Sequence, residues 1–486
     1  MSHTPSFKSL SRKHLLTLAL CISLAGAGGG ALYMYGSGDK LPAQLQIAGW
    51  KAGGLTYAQF QEQFNHQLEQ YGALPVHLVS SNPGVASKDL TLSQLGLVMQ
   101  RDALDQAMQR LFQGTIAERI AARWSLRHAE LTLPMSIDPD KLNAAVRRAW
   151  QELYAIQPLG ARRVVDPNDA IRYEPERSVP RFDTITLHKE LSVQLPAFSD
   201  KPRSGPLSVQ LPFYMESPAV TVDMLKQQGV DRKIIEFTTS FPLSGSGRIH
   251  NIRSTATSIQ DMLLAPGDIF DYSKIIEQTE AKFGYQEAPV ILNGKLVPGV
   301  GGGICQVSST LYNAVLRSGL DIVERRNHSL PVSYVPLGQD ATFANGYINF
   351  KFRNNTGAYL LIRAVTTDIN VTVKLYGRMP ASDSYDIESK VIETIQPTIQ
   401  YLHNPNIKRG TTKPINKGKE GYVVETYRYK KVNGTVVSKE LISKDRYAAV
   451  PALVASNRAD DKLENGNPNK NQTPILEDGV KGPDSR

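Results

Sequence analysis

Apolar residues recur at helical spacing in Tyr57, Phe60, Phe64 and Leu68, where Thr56 and Gln59 form a capping box at the start and Gly72 ends the run. The same period returns in Leu104, Met108, Leu111 and Phe112 before Gly114. It appears again in Leu142, Val146, Trp150 and Leu153 after Asp138-Pro139, with Pro139 at the first helical position. These stripes read as core. Arg162, Arg163, Asp166, Asp169 and Arg172 sit among turn residues and read as a solvated face. Pro196, Pro202, Pro206 and Pro212 then punctuate a stretch predicted to hold edge strands and connections.

Beyond residue 230 the period shortens. Ile234 to Phe241 alternates like a strand, and 251–264 reads as a helix capped by Asn251. Asn293-Gly294 between Val290-Ile291-Leu292 and Lys295-Leu296-Val297 is a strong hairpin signal. Gly299 to Asn313 packs four glycines against Cys305, then places Val307, Leu311 and Val315 on one helical face, with Gly319 as the stop. Strand-like runs follow at 321–325, 332–335, 347–352, 359–365 and 369–376. From Ser389 to Ser456 the pattern is all-β, with a long hairpin around Asn433-Gly434. Residues 457–486 have the composition of a disordered tail.

The expected fold is multidomain α+β. Residues 1–40 are a signal or signal-anchor, 45–225 an α/β region, 232–378 an α+β domain with a mainly antiparallel sheet, 385–456 a small all-β module and 457–486 the tail. A length of 486 residues, 41% hydrophobic and 21% charged, suits about three folded domains. The basic segment with Lys8, Arg12, Lys13 and His14 precedes residues 15–38, which carry no acidic or basic side chain. That order predicts a single-pass membrane protein with its bulk outside the cytoplasm. A cleaved signal and secretion to the wall is the alternative.

The net charge of +9 points to anionic surroundings. Between 388 and 455 twelve Lys or Arg face six Asp or Glu, so most of the excess lies in the β module. No zinc-finger spacing or long basic helix occurs, which argues against nucleic acid. GxxxxGK[ST], HExxH, CxxC and GxSxG are all missing from the sequence, and no cofactor or metal is expected.

Chemistry therefore centres on Cys305. A glycine loop feeding a helix N-terminus offers free N–H groups and a positive dipole end, which favour a thiolate. Cys305 is a candidate nucleophile; the alternative is a small buried hydrophobe. His328, after the return strand, is the candidate base or an ordinary strand-end histidine. Asp340 is its candidate orienting acceptor or a turn residue. Amides of Gly301, Gly302 and Gly303 can hold an oxyanion, and Gln306 lies beside them. Arg325 and Arg326 are candidates for a substrate carboxylate. Ser308 and Ser309 read equally as substrate donors or as small residues allowing close packing.

Asn251, Pro266-Gly267-Asp268-Ile269-Phe270, Gly284-Tyr285, Ala288-Pro289, GVGGGICQVSSTLYNAVL, Glu324-Arg325, His328-Ser329, Tyr334-Val335-Pro336, Asp340-Ala341-Thr342 and Phe352-Arg353-Asn354-Asn355-Thr356 occur in an order that resembles a VanW domain. Trp50 to Thr56, Leu92 to Gly96 and Pro167 to Ala170 resemble the peptidoglycan-binding region that precedes such domains. Gly410, Gly418, Gly421 and Gly434 resemble the G-five-type adhesion module of wall-associated proteins.

These resemblances imply a bacterial envelope protein associated with glycopeptide resistance. They also imply L,D-transpeptidase-type crosslinking of peptidoglycan stem peptides by Cys305, with attachment to anionic or sugar-rich wall polymers. A non-catalytic scaffold is the alternative. Asp271-Tyr272-Ser273 and Asn349 depart from the family pattern.

Overall fold

The computed structural model describes residues 12–198, 205–242, 244–292, 294–457 and 475–482. The chain is mixed α+β, its sheets are mostly antiparallel, and it divides into two compact units. One comprises Met1–Leu159 and Arg177–Pro218, the other Gly160–Glu176 and Ala219–Arg486.

In the first unit the capping-box helix runs Tyr57–Gly72, with both Thr56 and Gln59 bonds formed. Its Phe60 and Phe64 stack on Trp50, each with ring centroids 5.9 Å from the indole. The other two foreseen helices run Asp102–Phe112 and Pro139–Ala149, the latter capped by Asp138. A helix at Thr184–Gln194 is an addition, with Asp183 accepting from Ile185 N–H and Thr186 N–H. Leu207–Leu211 is an edge strand, parallel to Pro75–Ser80. The N-terminal helix spans Arg12–Ser37, and its Ala19–Ser37 portion is long and apolar enough to cross a membrane. Lys8 lies outside the described residues.

The Gly160–Glu176 excursion belongs to the second unit, although its place in the sequence puts it with residues 45–225. Asp169, expected to be solvated, accepts from Lys233 Nζ (2.6 Å), Lys374 Nζ (2.6 Å) and Tyr376 Oη (2.7 Å). Two lysines and a phenol make that surface a junction, which turn composition could not show.

Within the second unit a four-stranded antiparallel sheet runs in the order Arg232–Ser240, Asn370–Gly377, Leu360–Thr366, Met262–Leu264. Three helices, Ser246–Ile259, Tyr272–Phe283 and Ile304–Leu316, contribute side chains to the same core as this sheet. Asn251 does not cap. It is interior to its helix and fully buried, donating to Gln286 O and Gly302 O and accepting from Gln286 N–H, so it ties the glycine loop down.

The hairpin is present as Glu287–Leu292 against Lys295–Val300; Asn293 lies outside the described residues. Residues 332–335 form no strand, and of 347–352 only the end enters one, Lys351–Arg353, which pairs with Ile269–Asp271 and Asp321–Glu324. The 332–335 segment instead leaves Val332, Ser333 and Tyr334 in a cleft wall shared with Arg248, Pro289 and Asp478.

The all-β module is a three-stranded sheet, Asp383–Ile395, Gly421–Val432 and Thr435–Tyr447, with a smaller sheet of Ile399–His403, Ala452–Ser456 and Thr412–Pro414. Its hairpin turns at Asn433 and Gly434, both with positive φ. The tail departs from expectation. Residues 458–474 and 483–486 lie outside the described residues, but Leu476–Glu477 pairs antiparallel with Ile291–Leu292 on the free edge of the Glu287–Val300 hairpin.

Candidate functional site

The glycine loop works as backbone geometry. Gly303 caps the Ile304–Leu316 helix at φ 106°, a conformation that L side chains rarely adopt. A Cβ on Gly302 would sit 2.3 Å from Pro289 O. The helix that follows is buried on every side, not just along the Val307, Leu311, Val315 face, so its polar groups must be paired internally. Ser308 Oγ donates to Ala341 O (2.6 Å), and Ser309 Oγ accepts from Ala341 N–H (2.9 Å). Both serines latch the helix to residue 341 and are spent there. Tyr272, one of the departures from the family pattern, donates to Ile304 O (2.6 Å) and anchors the helix start. Asn349 donates to Asp271 Oδ1 (2.7 Å), which caps the neighbouring helix.

Cys305 is fully buried. Its Sγ accepts from Phe343 N–H at 3.1 Å and lies 3.7 Å from Phe343 O. Burial, then the charge of Asp478, push the thiol well above its ordinary value, overriding the backbone donors that favour the thiolate. The helix N-terminus was expected to do the reverse. The correction is physical: the N-terminal amides already hold an anion. Asp478 Oδ1 accepts from Gly303 N–H (3.1 Å) and Cys305 N–H (2.8 Å). Its Oδ2 accepts from Arg248 (3.2 Å), whose other nitrogen donates to Gln306 Oε1 at 2.9 Å. The cradle therefore comprises Gly303, Cys305 and Arg248, with Gln306 steering the arginine. Gly301 N–H is committed to Gln286 O (3.1 Å), and Gly302 contributes its carbonyl to Asn251.

The imidazole stands in a second network. His328 is fully buried, and its N–H and Nδ1 both meet Asp340 Oδ2, at 2.7 and 2.6 Å. Asp340 Oδ1 accepts from Tyr447 Oη (2.5 Å) and Arg325 (3.3 Å). Burial works against both charges of the pair. The His328 bond and charge, followed by Arg325, nevertheless hold Asp340 down to about 2, and Asp340 holds His328 above its ordinary value. Nε2 of His328 is buried with no hydrogen-bond partner among the described residues.

Arg325 is no substrate clamp: its side chain is 3% exposed and its Nη1 donates to both oxygens of Asp445, each at 2.6 Å, so the charge is already neutralised inside the fold. Arg326 is exposed, and its carbonyl accepts from Thr342 N–H. The His328–Asp340 pairing thus exists, while the hydrogen bonds of Cys305 Sγ among the described residues both go to Phe343.

A cleft of about 840 Å³ adjoins the cradle, walled by Arg248, Pro289, Tyr334, Lys419, Tyr422 and Asp478 among others. Sequence reasoning missed Arg248, Tyr334, Glu477 and Asp478. Arg248 had only a helix-opening Gly-Ser-Gly before it as a signal, and the two acids sat in a stretch whose composition resembles disorder.

Residues 247–376 match the family described as VanW like protein, and residues 386–456 match the G5 domain; the chain carries the two in that order. It is similar to the uncharacterized protein YoaR of Bacillus subtilis, at 42% identity over 141 residues, 29% of this chain and 46% of that one. It is also similar to the vancomycin B-type resistance protein VanW of Enterococcus faecalis, at 26% over 154 residues, 31% of this chain and 56% of that one. The chain thus spans about half the length of these curated relatives.

Among solved structures, the G5 domain of HP0197 is 16% identical, covering 15% of this chain and 96% of that one with a TM-score of 0.11. The IgA1 protease G5 domain is 26% identical, covering 16% and 94% with a TM-score of 0.13.

Proposed function

We propose that this is a cell-envelope protein that binds peptidoglycan stem peptides through its VanW-like domain. The observation that carries the reading is the seated Asp478 carboxylate. Arg248 and two helix N-terminal amides hold it at the wall of a cleft that has room for a peptide. A stem peptide presents the same group, a carboxylate on an extended backbone. The basic G5 module, with its lysine excess, suits an anionic or sugar-rich wall polymer, and the 45–225 region is part of the same wall-directed proposal. The Ala19–Ser37 helix suits a membrane anchor that leaves these domains outside.

Acyl transfer is the second reading, favoured by one feature: Asp340 fixes Nδ1 of His328 and leaves Nε2 without a partner among the described residues. In that chemistry the Cys305 thiolate attacks the carbonyl preceding a terminal D-alanine. A thioester forms, the alanine leaves with the imidazolium proton, and a neighbouring stem amine takes the acyl group. Burial of the thiol and its raised pKa favour binding over this route.

The test is calorimetry of the full chain with purified tetrapeptide muropeptides, alongside chromatography of the products. Binding predicts that Arg248→Gln weakens affinity about tenfold or more and Cys305→Ala preserves it. Crosslinked product from wild type that Cys305→Ala fails to form would establish acyl transfer. No binding by any variant would sink the stem-peptide reading.

A further inference from the structure

Four independent contacts fix the segment 475–482. Leu476 and Glu477 extend the hairpin sheet by pairing with Leu292 and Ile291. Glu477 Oε2 accepts from Ser329 N–H (2.9 Å) and Ser329 Oγ (3.0 Å), next to the site histidine. Asp478 fills the cradle, and its N–H donates to Phe343 O at 3.3 Å. Val480 N–H donates to Val300 O, and Val300 N–H to Lys481 O, both at 2.8 Å. Between them, a Cβ on Gly479 would meet Val290 Cγ1 at 2.5 Å and Val300 O at 2.9 Å, so the backbone passes where no larger residue fits. Asp478 and Glu477 are 6% and 7% exposed, a degree of burial rare for acids without built partners.

Addition of a strand to a sheet edge, followed by capture of a carboxylate at a helix N-terminus, is how an extended acidic peptide is recognised. This chain performs that recognition on itself. We propose that residues 475–482 are a resident pseudo-ligand of the VanW-like domain, occupying the edge strand and carboxylate cradle that an incoming peptide would use. The identity of that peptide as a stem peptide rests on the reading above; the self-occupancy does not. Asp478 both lines the cleft and accepts from Cys305 N–H, whereas Cys305 and His328 do not line the cleft. The docked segment therefore stands between the cleft and the helix N-terminal amides, and the cradle opens only when it leaves.

A fluorescent peptide of sequence 475–482, titrated by anisotropy into two full-length proteins, tests this. Wild type is expected to bind weakly because its own segment competes. The Glu477→Ala, Asp478→Ala double variant is expected to bind about 10- to 100-fold more tightly, by the fraction of sites it frees. Adding Arg248→Gln to that variant should abolish the gain. Equal affinity for wild type and double variant, or none for either, overturns the proposal.

Hydrogen exchange on unaltered wild type guards against a misfolded variant. Excess unlabelled peptide should accelerate exchange of Glu477 and Val480 amides in the chain's own segment, and unchanged exchange overturns the proposal as well. Tetrapeptide muropeptide in place of the octapeptide separates the two readings. If the double variant gains octapeptide affinity but ignores muropeptide, self-occupancy stands and the stem-peptide reading falls. If both proteins bind muropeptide equally and the double variant gains no octapeptide affinity, the reverse holds.

Discussion

Two aspartates flank the short segment 340–343, and they are built in opposite ways. Asp340 is the segment's first residue, surrounded by groups the folded domains supply: His328, Arg325 and, from the G5 module, Tyr447. Asp478 arrives from the tail, and its amide meets Phe343 O at the segment's other end. Both carboxylates are at least nine-tenths buried and both bind an arginine. What differs is the alternative open to each: Asp340 leaves only when the domain unfolds, whereas Asp478 can exchange its cradle for water and vacate it for another anion. The first is scaffold and the second is ligand, a distinction that burial alone would not reveal.

The largest contrast should appear in stability. Asp340→Asn leaves His328 without its charge partner and Arg325 with one fewer. Denaturant unfolding is expected to lose about 3–5 kcal/mol, the usual cost of breaking a buried pair from one side. Asp478→Asn should cost about 1–2 kcal/mol, the scale of a lost helix cap, because Arg248 remains partly exposed to solvent. Equal losses would erase the distinction between scaffold and ligand.

The pH dependence is the next effect in size. Asp340 is held at about 2 against an ordinary 3.8, so its contribution is complete above pH 3.8 and lost as pH falls towards 2. The shift corresponds to on the order of 2 kcal/mol. His328 is raised from 6.5 by Asp340, with Asp478 and Glu477 also facing it. Its contribution is therefore complete below pH 6.5 and lost as pH rises through its folded value. Wild type should be most stable to thermal unfolding between about pH 4 and 6.5. In Asp340→Asn both limbs should flatten. In Asp478→Asn the acid limb should persist and only the alkaline limb soften.

The same contrast explains what the sequence made legible. The glycine loop, the helix after it and the His328–Asp340 pairing depend on local φ demands and on a return strand, both written as spacing. The uses of Ser308, Ser309 and Arg325 were not legible, because each is settled by a partner 32 to 120 positions away. Asn251 misled for a related reason: an asparagine near a helix start resembles a cap, yet this one bridges two loops. The tail was least legible of all. Its Glu-Asp-Gly-Val carries too little apolar surface to fold by itself, and it gains order only by borrowing a sheet edge and a helix dipole built elsewhere.

A smaller effect probes the scaffold side from the G5 module. Tyr447 Oη donates to Asp340 and accepts from Gly338 N–H (2.7 Å), so Tyr447→Phe removes one charged bond and strands one amide. A loss of about 1–2 kcal/mol is expected, with a shift in the His328 ring resonance that reports the altered carboxylate. Peptide affinity at the cradle should not change, since both Tyr447 bonds, to Asp340 and to Gly338, lie on the scaffold side. A change there would mean that the two ends of 340–343 are coupled.

The smallest effect lies between the two carboxylates. Thr342 is fully buried, its N–H donates to Arg326 O, and its Oγ1 has no partner among the described residues. Thr342→Val keeps the shape and removes the orphaned hydroxyl, which should raise stability by up to about 1 kcal/mol in denaturant unfolding and leave peptide affinity as it was. A loss of about the same size would reveal a partner for Oγ1, such as an ordered water joining the two sites. Segment 340–343 would then be a polar link, and occupancy of the cradle would have to register at His328. A gain leaves it a dry spacer, and the scaffold then holds its geometry whether or not the tail is docked.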